Sequence, residues 1–232
     1  MKTIICAGPP TSGKTTVLKQ VAKKLIERGR RMAYVKIDVQ FTDEDEVFKS
    51  QFGIPTKKVY SGELCPDHCN VMVLGDAIKW AQDVSADILL VETAGLCLRC
   101  SPYLDKALGI VVLEATSGMN LPRKIGPLLS LADVALVTKI DLVSQAEREV
   151  FRANILKAAK TNVIETDALH GINLDTIVSK VEAAQETTLP LMLRGNPPVG
   201  VCTICVGKKE VGWQQHFGVV RPLDGAMFYR GE

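Results

Sequence analysis

The sequence predicts an α/β fold whose mostly parallel sheet is covered by helices on both faces. Short apolar runs rich in Val and Ile alternate with amphipathic stretches along the chain, which is typical of βαβ units. Hydrophobic residues make up 47% of the 232 residues and charged residues 23%, so the chain can bury a core that offsets its conformational entropy. The predicted strands cover residues 3–7, 32–37, 88–91, 110–113, 134–137 and 163–165.

The first predicted helix runs from Lys14 to Arg28, directly after the first strand. Its apolar side chains share one face, and Gly29 follows where a C-terminal cap belongs. The same periodicity predicts helices near residues 43–52, 71–83, 144–160 and 174–185. After Gln185, a series of Pro and Gly residues breaks the pattern. We therefore divide the chain into a main domain, residues 1–187, and a small appendage that contains a cysteine pair, residues 188–232.

The charge balance and the apolar runs exclude several classes of partner. The 28 basic residues nearly cancel the 26 acidic ones, which leaves a net charge of +2 and no basic footprint for nucleic acid. No apolar run approaches the roughly 18 residues of a membrane span, and the N-terminal apolar stretch is too short for a signal peptide. We expect a cytoplasmic protein that binds no nucleic acid and does not span a membrane.

The segment from Gly8 to Thr15 matches the phosphate-loop pattern G-x-x-x-x-G-K-S/T. It lies between a predicted strand and a predicted helix, as that motif requires. The glycines let backbone N–H groups face phosphate oxygens, Lys14 can neutralise the β- and γ-phosphates, and the Thr15 hydroxyl suits Mg²⁺. The predicted phosphate-binding residues are Gly8, Ser12, Gly13, Lys14, Thr15 and Thr16.

The T-K-I-D segment, residues 138–141, ends a later predicted strand, where an N/T-K-x-D pattern is found to read guanine in P-loop GTPases. The Asp141 carboxylate can accept from N1–H and the 2-amino group of guanine, and adenine lacks both donors. Thr138 stands where Asn is commonest, and the stem of Lys139 can cover the base plane. After the last predicted strand, a backbone N–H at Ala168 or Leu169 is placed to face guanine O6. These residues favour GTP.

Two acidic residues, Asp38 and Glu92, end the second and third predicted strands. Ligands of open α/β sheets lie beyond the carboxyl ends of the strands, so both carboxylates are candidates to hold Mg²⁺ with Thr15 or to orient the attacking water. Gly95 is the candidate N–H that senses the γ-phosphate. The predicted catalytic residues are Lys14, Asp38 and Glu92.

Six of the seven cysteines form close pairs in sequence, and Cys6 stands alone in an apolar run, as expected of a small buried hydrophobe. In a reducing compartment, clustered thiols favour metal or redox chemistry over disulfides. We predict a site for zinc, nickel or an iron–sulfur cluster at two of the pairs. The third pair, in the appendage, resembles a metal knuckle that needs ligands from elsewhere. The candidate ligands are Cys65, His68, Cys69, Cys97 and Cys100, with Cys202 and Cys205 in the appendage.

Residues 1–185 resemble the SIMIBI class of P-loop GTPases, specifically the nickel-insertion GTPases of hydrogenase and urease maturation and the CobW-type metallochaperones. The matching segments are I-D-V-Q at 37–40, S-G-E-L-C at 61–65, E-T-A-G at 92–95, and P-R-K with G-P at 122–127. The C-P-D-H-C loop, the C-L-R-C pair and the appendage depart from the family pattern. The resemblance implies GTP hydrolysis, a nucleotide-dependent homodimer, and a target metalloenzyme or its maturation factor as partner.

The leading hypothesis is a GTPase, slow in isolation, that delivers a metal ion or cluster and uses Mg²⁺ and GTP to set the geometry of its thiol site. Cys97 lies two residues beyond Gly95, so rearrangement on hydrolysis should move that thiol. One alternative is an iron–sulfur carrier or reductase that resembles the nitrogenase iron protein. Another is a regulatory GTP switch whose thiols hold only structural zinc.

Overall fold

The computed structural model describes residues 1–39, 43–61, 66–94, 100–196, 208–212 and 229–230, with the backbone alone for 66–68 and 229–230. Strands and helices alternate through most of the chain. They are, in order, β1 (Lys2–Ala7), α1 (Lys14–Glu27), β2 (Met32–Asp38), α2 (Glu44–Phe52), β3 (Thr56–Tyr60), α3 (Pro66–Asp83), β4 (Ile88–Thr93), β5 (Leu108–Glu114), α4 (Leu121–Lys124), α5 (Gly126–Ser130), β6 (Val134–Thr138), α6 (Gln145–Ala158), β7 (Asn162–Glu165), α7 (Leu174–Ala183) and β8 (Tyr229–Arg230).

One sheet runs in the order β7-β6-β5-β1-β4-β2-β3-β8. The first seven strands in this order are parallel, and the two-residue β8 pairs antiparallel with β3. The predicted α/β class and the mostly parallel sheet are therefore confirmed. The sheet order places β1 between β4 and β5, so the loop after β1 lies at the centre of the carboxyl edge.

Helices cover both faces of the sheet. On one face, apolar side chains of α1, α2 and α7 pack with alternate strand residues such as Ile4 and Tyr34. On the other face, α3, α5 and α6 pack against strand residues such as Ile5 and Val35. Alternate residues of β1 and β2 thus pack into two separate layers of the core. Because both faces of these strands are buried, their sequences are continuous apolar runs.

Strand β3 was missed by hydropathy because two lysines interrupt its short sequence, T-K-K-V-Y. Lys58 is nevertheless buried, and its ammonium lies 3.7 Å from Asp45 Oδ1 on α2. Helix α3 begins at Pro66, five residues before the predicted start, and proline suits a first helical turn because its missing N–H has no partner to lose there. Helix α6 begins after Ser144, whose hydroxyl and Glu147 form a capping box.

The described start of the predicted appendage packs on the main domain. Leu193, only 2% exposed, lies in the core and forms a bridge with Leu104. The Arg194 guanidinium donates to the carbonyls of Leu131 and Ala107. The division at residue 188 stays a prediction, since most of 188–232 lies outside the described residues.

None of the helices in the described part of the chain is long and apolar enough to cross a bilayer.

Candidate nucleotide-binding site

The phosphate loop lies between β1 and α1, and its backbone passes very close to β5. A Cβ at Gly8 would lie 2.3 Å from the carbonyl oxygen of Val112, so only glycine fits. Gly13 has φ 87°, a left-handed conformation that glycine adopts without strain, and α1 begins at the next residue. Since Gly13 carries no capping side chain, the first N–H groups of α1 are left for an anion.

Two side chains of this loop fit a phosphate ligand. The Lys14 ammonium, 7% exposed, donates to the carbonyls of Gly8 at 3.0 Å and Pro9 at 2.9 Å, so it folds back over the loop. Burial lowers the pKa of Lys14, which a bound phosphate would reverse. Ser12 Oγ is buried without a hydrogen-bond partner among the described residues. Buried polar atoms are normally paired, so this hydroxyl fits a phosphate oxygen.

Thr15 and Glu92 meet directly behind the loop. The Thr15 hydroxyl donates to Glu92 Oε1 at 2.8 Å, and the Tyr34 hydroxyl donates to Glu92 Oε2 at 2.8 Å. Lys36 also donates to Oε1, at 2.6 Å, although burial alone would favour its neutral form. The charges of Glu92, Glu44 and Asp38, together with the hydrogen bond to Glu92, outweigh that burial and raise the pKa of Lys36. Three donors, from Thr15, Tyr34 and Lys36, therefore contact the buried side chain of Glu92.

Asp38 lies at the end of β2, where its Oδ1 accepts the N–H of Val39 at 2.7 Å. Its Oδ2 lies 3.5 Å from the Lys36 ammonium, so Asp38 and Glu92 flank the same cation. The Thr15 hydroxyl and these two carboxylates are hard oxygen donors, which fit Mg²⁺ together with phosphate oxygens and water. No three His, Cys, Asp or Glu side chains within the described ranges form a ready metal site without such additional ligands.

The T-K-I-D segment closes the other end of the site. The Thr138 hydroxyl donates to the Ser12 carbonyl at 2.7 Å, which ties this segment to the phosphate loop. Lys139 adopts a left-handed conformation with φ 54° and pairs with Glu114. Asp141 is exposed on a 3₁₀ turn, Ile140–Leu142, so its carboxylate is open to a ligand.

The loop after β7 is shaped by a residue that sequence reasoning did not select. The Asp167 carboxylate, 4% exposed, accepts the N–H groups of Leu169 and His170 and pairs with the His170 ring. Leu169 is 75% exposed while Ala168 is buried. The bond between the two side chains raises the pKa of His170 and lowers that of Asp167.

The predicted thiol site is described only in part. Cys69 is 2% exposed and lies in the apolar core, and Cys100 is partly exposed. Cys6 is buried, as predicted, and burial raises the pKa of its thiol. The side chain of His68 falls outside the described residues, as do Cys65, Gly95, Cys97, Cys202 and Cys205.

Sequence patterns also did not identify Lys36, Tyr34 and Glu44 as residues of the site. Lys36 carried one signal, because a lysine flanked by Val35 and Ile37 in a buried strand requires a buried countercharge. The sequence gave no such signal for Tyr34 and Glu44, since only the sheet order brings β4 beside β2 and the first turn of α2.

A phosphate loop at the centre of the carboxyl edge of a parallel sheet defines the class of P-loop nucleotide-binding proteins. Residues 2–165 match the family model "CobW/HypB/UreG, nucleotide-binding domain". The chain therefore belongs to the CobW/HypB/UreG family, and the resemblance found in the sequence is confirmed.

Individual relatives agree with this assignment. The chain is 43% identical over 235 residues to the uncharacterized protein MJ0120 of Methanocaldococcus jannaschii, covering 100% of both. It is 29% identical to the urease accessory protein UreG 2 of Streptomyces griseus, covering 78% of this chain and 87% of the relative. The fold is similar to that of the hydrogenase maturation factor HypB of Archaeoglobus fulgidus, at TM-score 0.63 and 19% identity, covering 78% and 89%. HypB of Helicobacter pylori in complex with nickel also has TM-score 0.63, at 18% identity, covering 81% and 91%.

Proposed function

We propose that this protein is a magnesium-dependent GTPase that delivers a metal ion or cluster to a target metalloenzyme or its maturation factor. The observation that carries the proposal is the hydrogen bond from Thr138 to Ser12, because it joins a phosphate loop to a segment suited to guanine. Relatives named as urease accessory and hydrogenase maturation proteins support the delivery role, and the nickel complex of HypB supports a transition metal as cargo. These names do not favour the iron–sulfur alternative.

The chemistry would depend on positioning and on neutralising charge. Lys14 would leave the Gly8 and Pro9 carbonyls for the β- and γ-phosphates, and Ser12 would gain a phosphate partner. Thr15, Asp38 and Glu92 would hold Mg²⁺, which supplies charge neutralisation on the phosphates when bound. Asp38 is the better candidate to orient water, since three donors already occupy Glu92.

Base selection is tested by Asp141→Asn. The variant should lose guanine affinity by at least tenfold and gain affinity for xanthosine triphosphate, because an amide can donate where xanthine has a carbonyl. Binding of fluorescent GDP, GTP, ATP and xanthosine triphosphate is measured by titration. The matched control is Asp175→Asn, which loses an exposed carboxylate that pairs with Lys24 on α1. Unchanged GTP affinity in Asp141→Asn would show that the base is held elsewhere.

Metal delivery requires that the nucleotide state controls metal binding. We propose that Cys65, Cys69, Cys97 and Cys100, with His68, form that site, within one chain or across a homodimer. The test measures nickel and zinc dissociation constants with a GTP analogue, with GDP and without nucleotide, and the mass of each state. The double variant Cys65→Ser/Cys97→Ser should abolish the nucleotide dependence, whereas Cys202→Ser/Cys205→Ser should preserve it. Identical constants in all three states would refute the gating.

The kind of metal cargo, a single ion or a cluster, is determined with protein purified without oxygen. Metal content, acid-labile sulfide and the visible spectrum distinguish a bound cluster from a single ion. We expect a colourless protein that takes up nickel, cobalt or zinc. Iron with sulfide and a broad absorption band would instead identify a cluster carrier.

A further inference from the structure

Lys36 is a buried cation for which the proposed GTPase chemistry has no role. Its side chain is 5% exposed, and its ammonium nitrogen lies 2.6 Å from Glu92, 3.2 Å from Glu44 and 3.5 Å from Asp38. The three carboxylates belong to β4, to the first turn of α2 and to the end of β2. One positive charge therefore sits between three negative ones.

Two of these carboxylates are the ones proposed to hold Mg²⁺. Glu92 Oε1 already accepts from both Lys36 and the Thr15 hydroxyl, so the ammonium and Mg²⁺ compete for the same oxygen. Two cations a few ångströms apart in a poorly solvated site also repel each other strongly. Mg²⁺ at Glu92 Oε1 or Asp38 Oδ2 would therefore compete with the contacts of Lys36.

We propose that Lys36 is a resident cation that holds the acidic cluster together until Mg²⁺ and nucleotide displace it. This inference rests on the proposed magnesium-dependent function. Lys36 is then a positioning residue that sets how much Mg²⁺ the protein needs to bind nucleotide. When the Lys36 ammonium is displaced, it loses buried carboxylate partners and gains no partner of equal charge. This cost raises the Mg²⁺ concentration that nucleotide binding requires.

The displaced ammonium has one carboxylate left, Glu44, which is the first residue of α2. The next residue, Asp45, pairs with Lys58 on β3 at 3.7 Å. Lys36 and Lys58 are direct register partners on neighbouring strands, and each binds the first turn of α2. The arrival of Mg²⁺ would thus loosen the Lys36 link between α2 and the nucleotide site and leave the Lys58 link in place.

Lys36→Met tests the proposal, with Lys58→Met as the matched control and Lys36→Arg as the charge-preserving variant. The first readout is the Mg²⁺ concentration that gives half-maximal binding of fluorescent GDP. It should fall about tenfold in Lys36→Met, since a competing unit charge is removed, and stay near the wild-type value in the other two. The second readout is Tm without nucleotide. Millimolar Mg²⁺ should raise Tm in Lys36→Met but leave the wild type unchanged.

Equal Mg²⁺ requirements in the wild type, Lys36→Met and Lys58→Met would overturn the proposal. If Lys36→Met does not fold in chelator, Lys36→Gln is prepared, and both variants are refolded with Mg²⁺. Recovery in Mg²⁺ supports an exchangeable cation, and failure of both variants in Mg²⁺ refutes it. A wild-type protein that binds no GTP would refute the GTPase function, while the Tm comparison without nucleotide would still report on Lys36.

Discussion

Thr138 at the end of β6 donates a hydrogen bond of 2.7 Å to the carbonyl oxygen of Ser12 in the phosphate loop. The two residues are 126 positions apart in sequence, and the bond is fully buried. It joins the segment suited to the base with the segment suited to the phosphates. The hydroxyl therefore makes a contact to the phosphate loop at the position where Asn is commonest in GTPases.

Thr138→Val should weaken both folding and nucleotide binding. Losing a buried hydrogen bond and leaving the Ser12 carbonyl unpaired costs about 1–3 kcal/mol of unfolding free energy. GDP affinity should fall several-fold, because the two halves of the site lose their link. Thr161→Val is the control, since its hydroxyl donates to the Ala132 carbonyl at 3.1 Å outside the candidate site. Equal GDP affinity in both variants would mean that the link does not position the loop.

Gly8→Ala should abolish nucleotide binding, because its Cβ would lie 2.3 Å from the Val112 carbonyl oxygen and force the phosphate loop to move. We expect a loss of more than tenfold in GTP affinity by titration. Gly75→Ala on α3 is the control, since its Cβ would meet only Leu191, at 3.9 Å. Alanine in a helix should stabilise that variant by about 0.5–1 kcal/mol, with GTP affinity unchanged. Normal GTP binding in Gly8→Ala would contradict the tight approach to β5.

His170 should titrate above its usual pKa of about 6.5, because Asp167 accepts from its ring and the Asp141 charge adds to the effect. Its protonated form is favoured in the folded protein. The stabilisation is therefore complete below the unfolded pKa and is lost as pH rises through the raised folded pKa. The measurement is an NMR titration of the His170 ring. Asp167→Asn should return the midpoint close to 6.5, and Asp141→Asn should shift it less.

The contribution of Asp167 to folding stability has the opposite pH dependence, because the His170 bond lowers the pKa of Asp167. Its stabilisation is present above the unfolded carboxyl pKa and is lost as pH falls through the lowered value. A His170 midpoint that Asp167→Asn leaves unchanged would show that the two side chains are not paired in solution.

Arg194→Met should detach the start of the predicted appendage from the main domain. The guanidinium donates to the Leu131 carbonyl at 2.7 Å and the Ala107 carbonyl at 2.8 Å, and it pairs with Asp133 at 2.9 Å. We expect faster proteolysis within residues 188–196 and a loss of about 1–3 kcal/mol in unfolding free energy.

The control for that variant is Arg31→Met, which removes a more exposed ion pair with Asp87 at 2.7 Å. Such surface pairs contribute at most about 1 kcal/mol, so its proteolysis pattern should match the wild type. Nucleotide binding should be unchanged in both variants. Identical cleavage of Arg194→Met and the wild type would show that other contacts hold the segment.

Sequence patterns alone determined the α/β class, six of the parallel strands and the phosphate loop. These features depend on local periodicity and on glycines such as Gly8 and Gly13, whose backbone geometry the phosphate loop requires. The same patterns missed β3, because its buried Lys58 is stabilised by Asp45 on a separate helix. A hydropathy pattern predicts that a lysine is exposed, even when a countercharge elsewhere in the chain stabilises its burial.

Only the tertiary structure decided which side chains share the carboxyl edge of the sheet. The order β1-β4-β2-β3 brings Glu92, Lys36 and the start of α2 together, although 48 positions separate Glu44 from Glu92 in the sequence. Sequence spacing gave Asp38 and Glu92 as separate strand ends, and it did not show that both carboxylates contact the buried Lys36. Strand order is set by how buried faces pack over the whole chain, so the contacts that it creates cannot be read from any local stretch.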